Sequence, residues 1–280
     1  MALSPTIPRQ TLQFRFSRWL FWALQDRPSL RTLVARFWPS VTVSRAGLRL
    51  RLYPGRNYQD RILWSSGDFS EKRSMAALLE AVRGRKTLIL DIGANSGMYS
   101  VTLARAAGEG SEIHAFEPNP VLQRQLRENL ALNGVTDKVT LHGVALGAAD
   151  GDTTLHIHGW NLGQSSLRPE RADAGAIDVP MRRLNGYLAD AARFDLIVAK
   201  VDIEGVEDVA LLPFLNEAPE SHLPDILLLE TEHQSLWNPA FPARLAALGY
   251  RERFSDEGNT IFDRDRSALG ETLKKGTAGA

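Results

Sequence analysis

Thr87–Leu90 is a short apolar run that leads straight into Asp91-Ile-Gly-Ala-Asn-Ser-Gly97, and a helical pattern takes over from Met98 to about Ala107. A run this short, closed by a glycine turn, suits a strand buried on both faces of a parallel sheet. Gly93 and Gly97 let the backbone turn sharply and approach a ligand without Cβ interference. The helix that follows presents free amides at its start. The turn is not a dinucleotide fingerprint, because G-x-G-x-x-G would need a glycine where Asn95 stands, and it lacks the Gly-Lys-Ser/Thr of a P-loop. Asp91 at the strand end is a poor neighbour for a pyrophosphate. It suits a ligand carrying an ammonium and a sulfonium better.

The alternation continues downstream. Ile113–Phe116 reads as a second strand. Asn119–Leu132 reads as a helix with Asn119 as N-cap and Pro120 in its first turn. Val139–Val144, Leu196–Val201 and Ile226–Leu229 read as three more strands, Pro242–Leu248 as a helix, and Tyr250–Phe254 with Thr260–Phe262 as a terminal antiparallel hairpin. Strands alternating with helices predict an α/β fold with a mostly parallel, doubly wound sheet. Ligands on such sheets sit at the carboxyl ends of the strands, where the strand order reverses. Upstream, Val41–Val43 and Leu48–Tyr53 alternate around Ala46-Gly47, the pattern of a hairpin.

Candidate site residues follow from that rule. Glu117 ends the second strand about 20 residues after Gly97, where this topology places an acid that accepts from both ribose hydroxyls. Val144 and Ala145, in His142-Gly-Val-Ala-Leu-Gly147, offer a flat apolar slot for a purine. The fourth strand ends in Lys200-Val-Asp-Ile-Glu-Gly-Val-Glu207. In an extended strand Lys200, Asp202 and Glu204 share one face. Asp202 or Glu204 then serves as base or acceptor-positioning group, with Lys200 orienting them. The rival readings are a structural salt-bridge cluster and a divalent metal held by Asp202 and Glu204 together with Glu230 or His233, which is not the favoured one. The segment Trp160–Leu167 is rich in Gly, Asn, Gln and Ser, the composition of a loop that offers donors and acceptors to a polyol. Trp160, Ser165, Ser166, Glu207, Glu230 and His233 are the expected substrate contacts.

Several of these stretches together resemble the FkbM-type family of S-adenosylmethionine-dependent methyltransferases. They are Asp91-Ile-Gly-Ala-Asn-Ser-Gly-Met-Tyr-Ser100, Ala115-Phe-Glu-Pro-Asn119, Glu128-Asn129 through Asn133-Gly134, Val144-Ala-Leu-Gly147, Asn161-Leu-Gly-Gln-Ser-Ser-Leu167 and Lys200 to Glu207. The resemblance implies a class I methyltransferase fold, a Rossmann-like sheet with an antiparallel terminal hairpin. It also implies methyl transfer, commonly to a hydroxyl of a sugar, glycolipid or secondary metabolite. S-adenosylmethionine is then expected on Asp91, Gly93, Ala94, Asn95, Gly97, Tyr99, Ser100, Glu117, Pro118, Asn119, Val144 and Ala145. Such sequences often carry Thr-Leu-Asp-Asp before the fourth strand, where this one has Arg183-Leu-Asn-Gly186. The other readings kept open are a binding module without catalysis and methylation of nitrogen or a carboxylate.

The rest of the chain sets outer bounds. Basic and acidic residues balance at 33 each over 280 residues, which argues against nucleic acid as partner. There are no cysteines, so disulfides, thiolate catalysis and cysteine-bound zinc are excluded. The greasy run Trp19–Leu24 is far shorter than the roughly 20 residues of a membrane span and lacks a secretory cleavage site. The expected location is cytoplasmic. The expected organisation is an Arg- and aromatic-rich helical leader (1–40), a hairpin and connecting helix (41–86), the cofactor-binding domain (87–265) and a polar tail (266–280). Within the leader, residues 9–38 either pack on the domain or lie on a membrane surface. Oligomeric state is left open.

Overall fold

The computed structural model describes residues 38–265 except 172, 189 and 190, together with six scattered positions (19, 20, 23, 27, 30 and 34). The expected leader helix and the polar tail lie outside the described residues. Among the described residues no helix is long and apolar enough to cross a membrane.

A hairpin of β1 (Val41–Arg45) and β2 (Leu48–Leu52) comes first, closed by Ala46 and Gly47, both at positive φ. That is the two-residue turn whose twist matches paired strands. Leu48, Leu50 and Leu52 alternate into the core. Two helices follow, α1 (Tyr58–Ser66) and α2 (Lys72–Val82), where the sequence suggested one. The main domain then runs β3 (Thr87–Ile92), α3 (Met98–Ala106), β4 (Glu112–Phe116), α4 (Pro120–Asn133) and β5 (Val139–His142). Three strands form a separate small sheet: β6 (Ala145–Leu146), β7 (Gly151–His156) and β8 (Ala176–Arg182). The large sheet resumes with β9 (Leu196–Val201), α5 (Glu207–Glu217), β10 (Ile226–Glu230), α6 (Ala240–Ala247), β11 (Tyr250–Asp256) and β12 (Asn259–Arg264).

The seven strands of the large sheet stand in the order β11-β12-β10-β9-β3-β4-β5. All neighbours pair in parallel except at β12, which runs antiparallel to both β10 and β11. This is the class I methyltransferase arrangement, and the strand order reverses between β3 and β9.

Apolar side chains cover both faces. Ile89 and Val198 join the layer that includes the hairpin and α1–α4, whereas Leu88, Leu90, Ile197 and Ala199 join the layer of α5 and α6. Alternation along β3 and β9 therefore sends Asp91 and Lys200 to the hairpin side, and the register sets them opposite each other. The hairpin is fastened to α4 by two asparagines one turn apart. Asn129 Oδ1 accepts from the Arg51 amide at 2.6 Å, and Asn133 accepts from and donates to the Arg49 backbone at 2.9 and 2.7 Å. These bonds occupy backbone groups of β2, an edge that would otherwise be open to pairing.

Candidate active site

The site is built at the reversal point. Gly93 sits at φ 77°, and a Cβ there would lie 1.9 Å from the Asp202 carbonyl oxygen, so only glycine lets the β3 turn pass the end of β9. The Gly93 and Ala94 amides donate to the Phe116 carbonyl, and Asp202 N–H donates to the Ile92 carbonyl. The ends of β4, β3 and β9 are thereby stitched together. Asn119 caps α4 through the Val121 amide, with Pro120 at the first helical position as the sequence indicated.

Two clefts meet here. The first is lined by Gly93, Asn95, Glu117, Pro118, Val144 and Ala145, together with Phe116, Ile203, Ser165 and Ser166. The second is wider and polar, and it runs between α1, the loop 161–164 and the ends of β10 and β12. Asn95, Gly163 and Asp202 border both clefts.

Charge is concentrated at the junction. Lys200 is 4% exposed and donates to the Gly93 carbonyl at 2.7 Å. Its Nζ lies 3.2 Å from Asp202 Oδ2 and 3.9 Å from Asp91 Oδ1. Burial works against its charge, but Asp202, Asp91 and Glu71 outweigh it and push the ammonium up to about 12. Asp91 is buried, and that burial raises its pKa against the opposing pull of Lys200. Ser100 Oγ donates to Asp91 Oδ2 at 2.5 Å, whereas Asp91 Oδ1 is buried with no hydrogen-bond partner. Glu117 is pushed up to about 7, chiefly by burial, despite amide donors from Asn119 and Asn95 at 2.8 Å each.

Some expected residues stand behind the cleft walls. Asp91, Ala94, Gly97, Tyr99, Ser100 and Asn119 do not line the first cleft. Ser100 holds Asp91, Asn119 holds Glu117 and α4, and the Tyr99 hydroxyl donates to Glu71 at 2.7 Å. Ser165 and Ser166, expected at the substrate, line the first cleft, and Ser166 Oγ donates to the Glu204 carbonyl.

Three expectations need correction. Glu204 does not share a face with Lys200 and Asp202: the strand ends at Val201, and Glu204 turns away at φ 61° so that its carboxylate meets His233 at 3.7 Å. Glu207 is fully buried and accepts from the Ile203 and Gly205 amides and from Trp237 Nε1, which makes it the clasp of this turn and leaves no exposed face for a substrate. Trp160 is 41% exposed and lines neither cleft. Of the acids suggested for a metal, Asp202 pairs with Lys200 instead, whereas Glu204 and Glu230 group with His233. No residue of the departing stretch Arg183–Gly186 lines either cleft; Leu184–Tyr187 forms a short 3-10 helix that packs behind Phe116 through Tyr187.

Other site residues come from the segment before the domain. Asn57 caps α1 and donates through Nδ2 to Asn95 Oδ1 at 2.5 Å. Glu71 is 7% exposed, lies at φ 54°, and accepts from Tyr99 and Gln59. Burial and the Asp202 charge raise its pKa. The signal available in the sequence for Asn57 was its position just before a helical pattern. None marked Glu71.

The chain is 29% identical over 195 residues to methyltransferase sdnD of Sordaria araneosa, covering 58% of this chain and 73% of that protein. Among solved structures, methyltransferase FkbM from Methylobacillus flagellatus KT aligns with a TM-score of 0.44 at 16% identity. That alignment covers 90% of this chain and 59% of the other, so the chain spans under two thirds of that protein. An O-methyltransferase from Bacillus cereus in complex with SAH aligns with a TM-score of 0.41 at 13% identity, over 70% and 81% of the two chains. Residues 91–253 match the methyltransferase FkbM domain, a span reaching from the Asp91 turn to β11, and the chain belongs to that family of methyltransferases.

Proposed function

We propose that the protein transfers a methyl group from S-adenosylmethionine to a hydroxyl of an uncharged, hydroxyl-rich acceptor such as a sugar, a glycolipid headgroup or a secondary metabolite. The observation that carries this reading is the position of Asp202: its carboxylate borders both clefts and is 27% exposed, yet it is held by an almost completely buried lysine.

The first cleft fits the cofactor. The apolar wall at Phe116, Val144 and Ala145 suits an adenine, and Glu117 suits a ribose diol. Asp91, just behind the wall at Gly93 and with a buried carboxylate oxygen that makes no hydrogen bond, gives this end of the cleft the negative charge that suits a cationic amino-acid end. When bound there, S-adenosylmethionine supplies an electrophilic methyl group on a cationic sulfur. The chain's own task is to align the acceptor and take its proton. Asp202 accepts the proton of the acceptor hydroxyl, and Lys200 fixes the carboxylate's direction through the 3.2 Å contact. The loop 161–164 narrows the junction from above.

The second cleft supports the acceptor class. Glu71, Asp202, Glu204, Glu230, Glu232 and Glu257 line it, against Lys72 alone among basic residues. Carboxylates accept hydrogen bonds from hydroxyls and repel phosphates, so anionic acceptors and nucleic acid fit poorly. The membrane contact expected of residues 9–38 is kept as a proposal that would favour a lipid-linked sugar.

Calorimetric titration with S-adenosylhomocysteine tests the cofactor. Micromolar binding that is lost in Asp91→Ala and Glu117→Ala is the expected result, and no binding by folded protein overturns the reading. Asp202→Asn is expected to keep S-adenosylhomocysteine binding and to lower methyl transfer to a polyol acceptor by about 10²–10⁴-fold.

A further inference from the structure

Glu204, in the turn after β9, and Glu230, the last residue of β10, line the second cleft, and His233 follows from the loop after β10. One ligand atom from each lies within 4.8 Å of the others. His233 Nε2 stands 3.7 Å from Glu204 Oε2 and 3.6 Å from Glu230 Oε1. Both separations exceed the roughly 3.2 Å reach of an N–H···O hydrogen bond. The second lies at the upper end of, and the first just beyond, the spacing of about 3.3–3.6 Å between atoms that share a tetrahedral ion at ~2.0–2.2 Å, a difference that small side-chain movements close.

The backbone is bent to make this convergence. Glu204 occupies the left-handed region at φ 61°, a conformation that costs a non-glycine residue free energy. The bend is held by its own N–H, which donates to Glu230 Oε2 at 3.1 Å, and by Ser166 Oγ, which donates to its carbonyl. Without it, the carboxylate would follow Asp202 toward Lys200.

A separate observation points to the same place. Asn259 pairs directly with Glu230 across the antiparallel ladder of β10 and β12, so the two side chains rise from the same face. Asn259 is 5% exposed and lines the second cleft beside Glu204 and Glu230, and its Oδ1 is buried with no hydrogen-bond partner. An amide oxygen left this way costs free energy unless something binds it.

We propose that Glu204, Glu230 and His233 hold a divalent transition-metal ion in the wall of the acceptor cleft, with Asn259 Oδ1 as a fourth donor. One imidazole with carboxylate and carbonyl oxygens selects ions of the manganese or zinc kind over calcium. The ion offsets the negative charge of the cleft. The proposal does not depend on methyl transfer, because metal binding is read directly.

The test uses the full chain stripped with a chelator and titrated with Mn²⁺, with the free ion followed by electron paramagnetic resonance and Zn²⁺ in a parallel calorimetric arm. One tightly bound equivalent is expected, with pulsed-resonance modulation from one imidazole nitrogen. Glu204→Gln, Glu230→Gln and His233→Ala should each weaken binding by about tenfold or more, and Asn259→Ala by less. Glu232→Gln, in the same cleft but outside the cluster, should leave binding unchanged. S-adenosylhomocysteine affinity, measured on every variant, reports folding and judges the cofactor reading separately. A chain that binds S-adenosylhomocysteine and neither ion overturns the metal site. So does Mn²⁺ bound without nitrogen modulation, or bound equally well by the three ligand variants.

Discussion

The Asn95 amide donates to Glu117 Oε2 at 2.8 Å, so the carboxylate that ends β4 also ties down the turn that follows β3. The price of this double duty is burial, which pushes Glu117 up to about 7. A proton on Glu117 removes the acceptor that a ribose diol needs. Affinity for S-adenosylhomocysteine should therefore fall roughly tenfold for each pH unit below about 7, and a flat profile between pH 5.5 and 8 would count against the assignment. Stability carries the opposite sign. The folded chain keeps this proton to about 7, whereas the unfolded chain loses it near 4.5. Ionisation across that window costs the fold up to about 3 kcal/mol. Chemical denaturation should show Glu117→Gln losing less stability than the parent as pH rises from 5 to 7.5. Asp60, raised to about 6 by burial, adds a slope of the same sign to both proteins.

Gly93 and Gly84 separate strain from collision. Both lie at positive φ, but a Cβ at Gly84 meets nothing within 4 Å, whereas one at Gly93 meets the Asp202 carbonyl at 1.9 Å. Gly84→Ala should cost about 1–2 kcal/mol, the left-handed term alone. Gly93→Ala should cost more and abolish S-adenosylhomocysteine binding, because the turn can clear β9 only by moving away from it. Equal losses in urea titrations of the two variants would show that the close approach is not what matters.

Lys200 faces two carboxylates from inside the protein. Lys200→Met leaves Asp91, 1% exposed, without its counter-charge, a situation that costs about 3–5 kcal/mol. Adding Asp91→Asn should recover most of that loss, since the uncompensated charge is then gone. The double variant should nonetheless fail to bind S-adenosylhomocysteine. A denaturation midpoint in Lys200→Met unchanged from the parent would mean that Asp91 is neutral in the folded chain.

Much of this was legible because local chemistry and topology agree along β3, β4 and β9. The turn at Asp91, the cap at Asn119 and the buried run at Leu196–Val201 each carry their own signal, and strand alternation then sets their order. Glu204 was misplaced because period-two reasoning assumes that the strand continues, and nothing in Asp202-Ile-Glu-Gly announces a positive φ before the glycine. Glu207 carries the same charge as a surface acid, and only the fold shows Trp237 and two amides converging on it. The small sheet escaped notice because β6 is only two residues long and β7 and β8 each bury a single residue, so their alternation carries little apolar contrast. Glu71 and Asn259 line the second cleft from positions 188 residues apart (259 minus 71), and no local pattern reports such a meeting; the contact between the Glu71 amide and Glu257, 186 residues apart, shows how it is made.

The segment ahead of the domain should govern how long the cofactor stays. Asn57 Nδ2 donates to Asn95 in the floor of the junction, Tyr58 N–H donates to Asn161 Oδ1, and Leu162 N–H donates to the Arg56 carbonyl. These three bonds fasten the loop 161–164 over the place where the clefts meet. Asn57→Ala removes the α1 cap, worth about 1 kcal/mol, and releases Asn95 at the same time. Stopped-flow displacement should show S-adenosylhomocysteine leaving several-fold faster with little change in its association rate, because the bonds act on the closed state. A variant that loses the expected stability while its dissociation rate stays at the parent value would confine Asn57 to capping α1, and the loop would then owe its position to the small sheet beneath it.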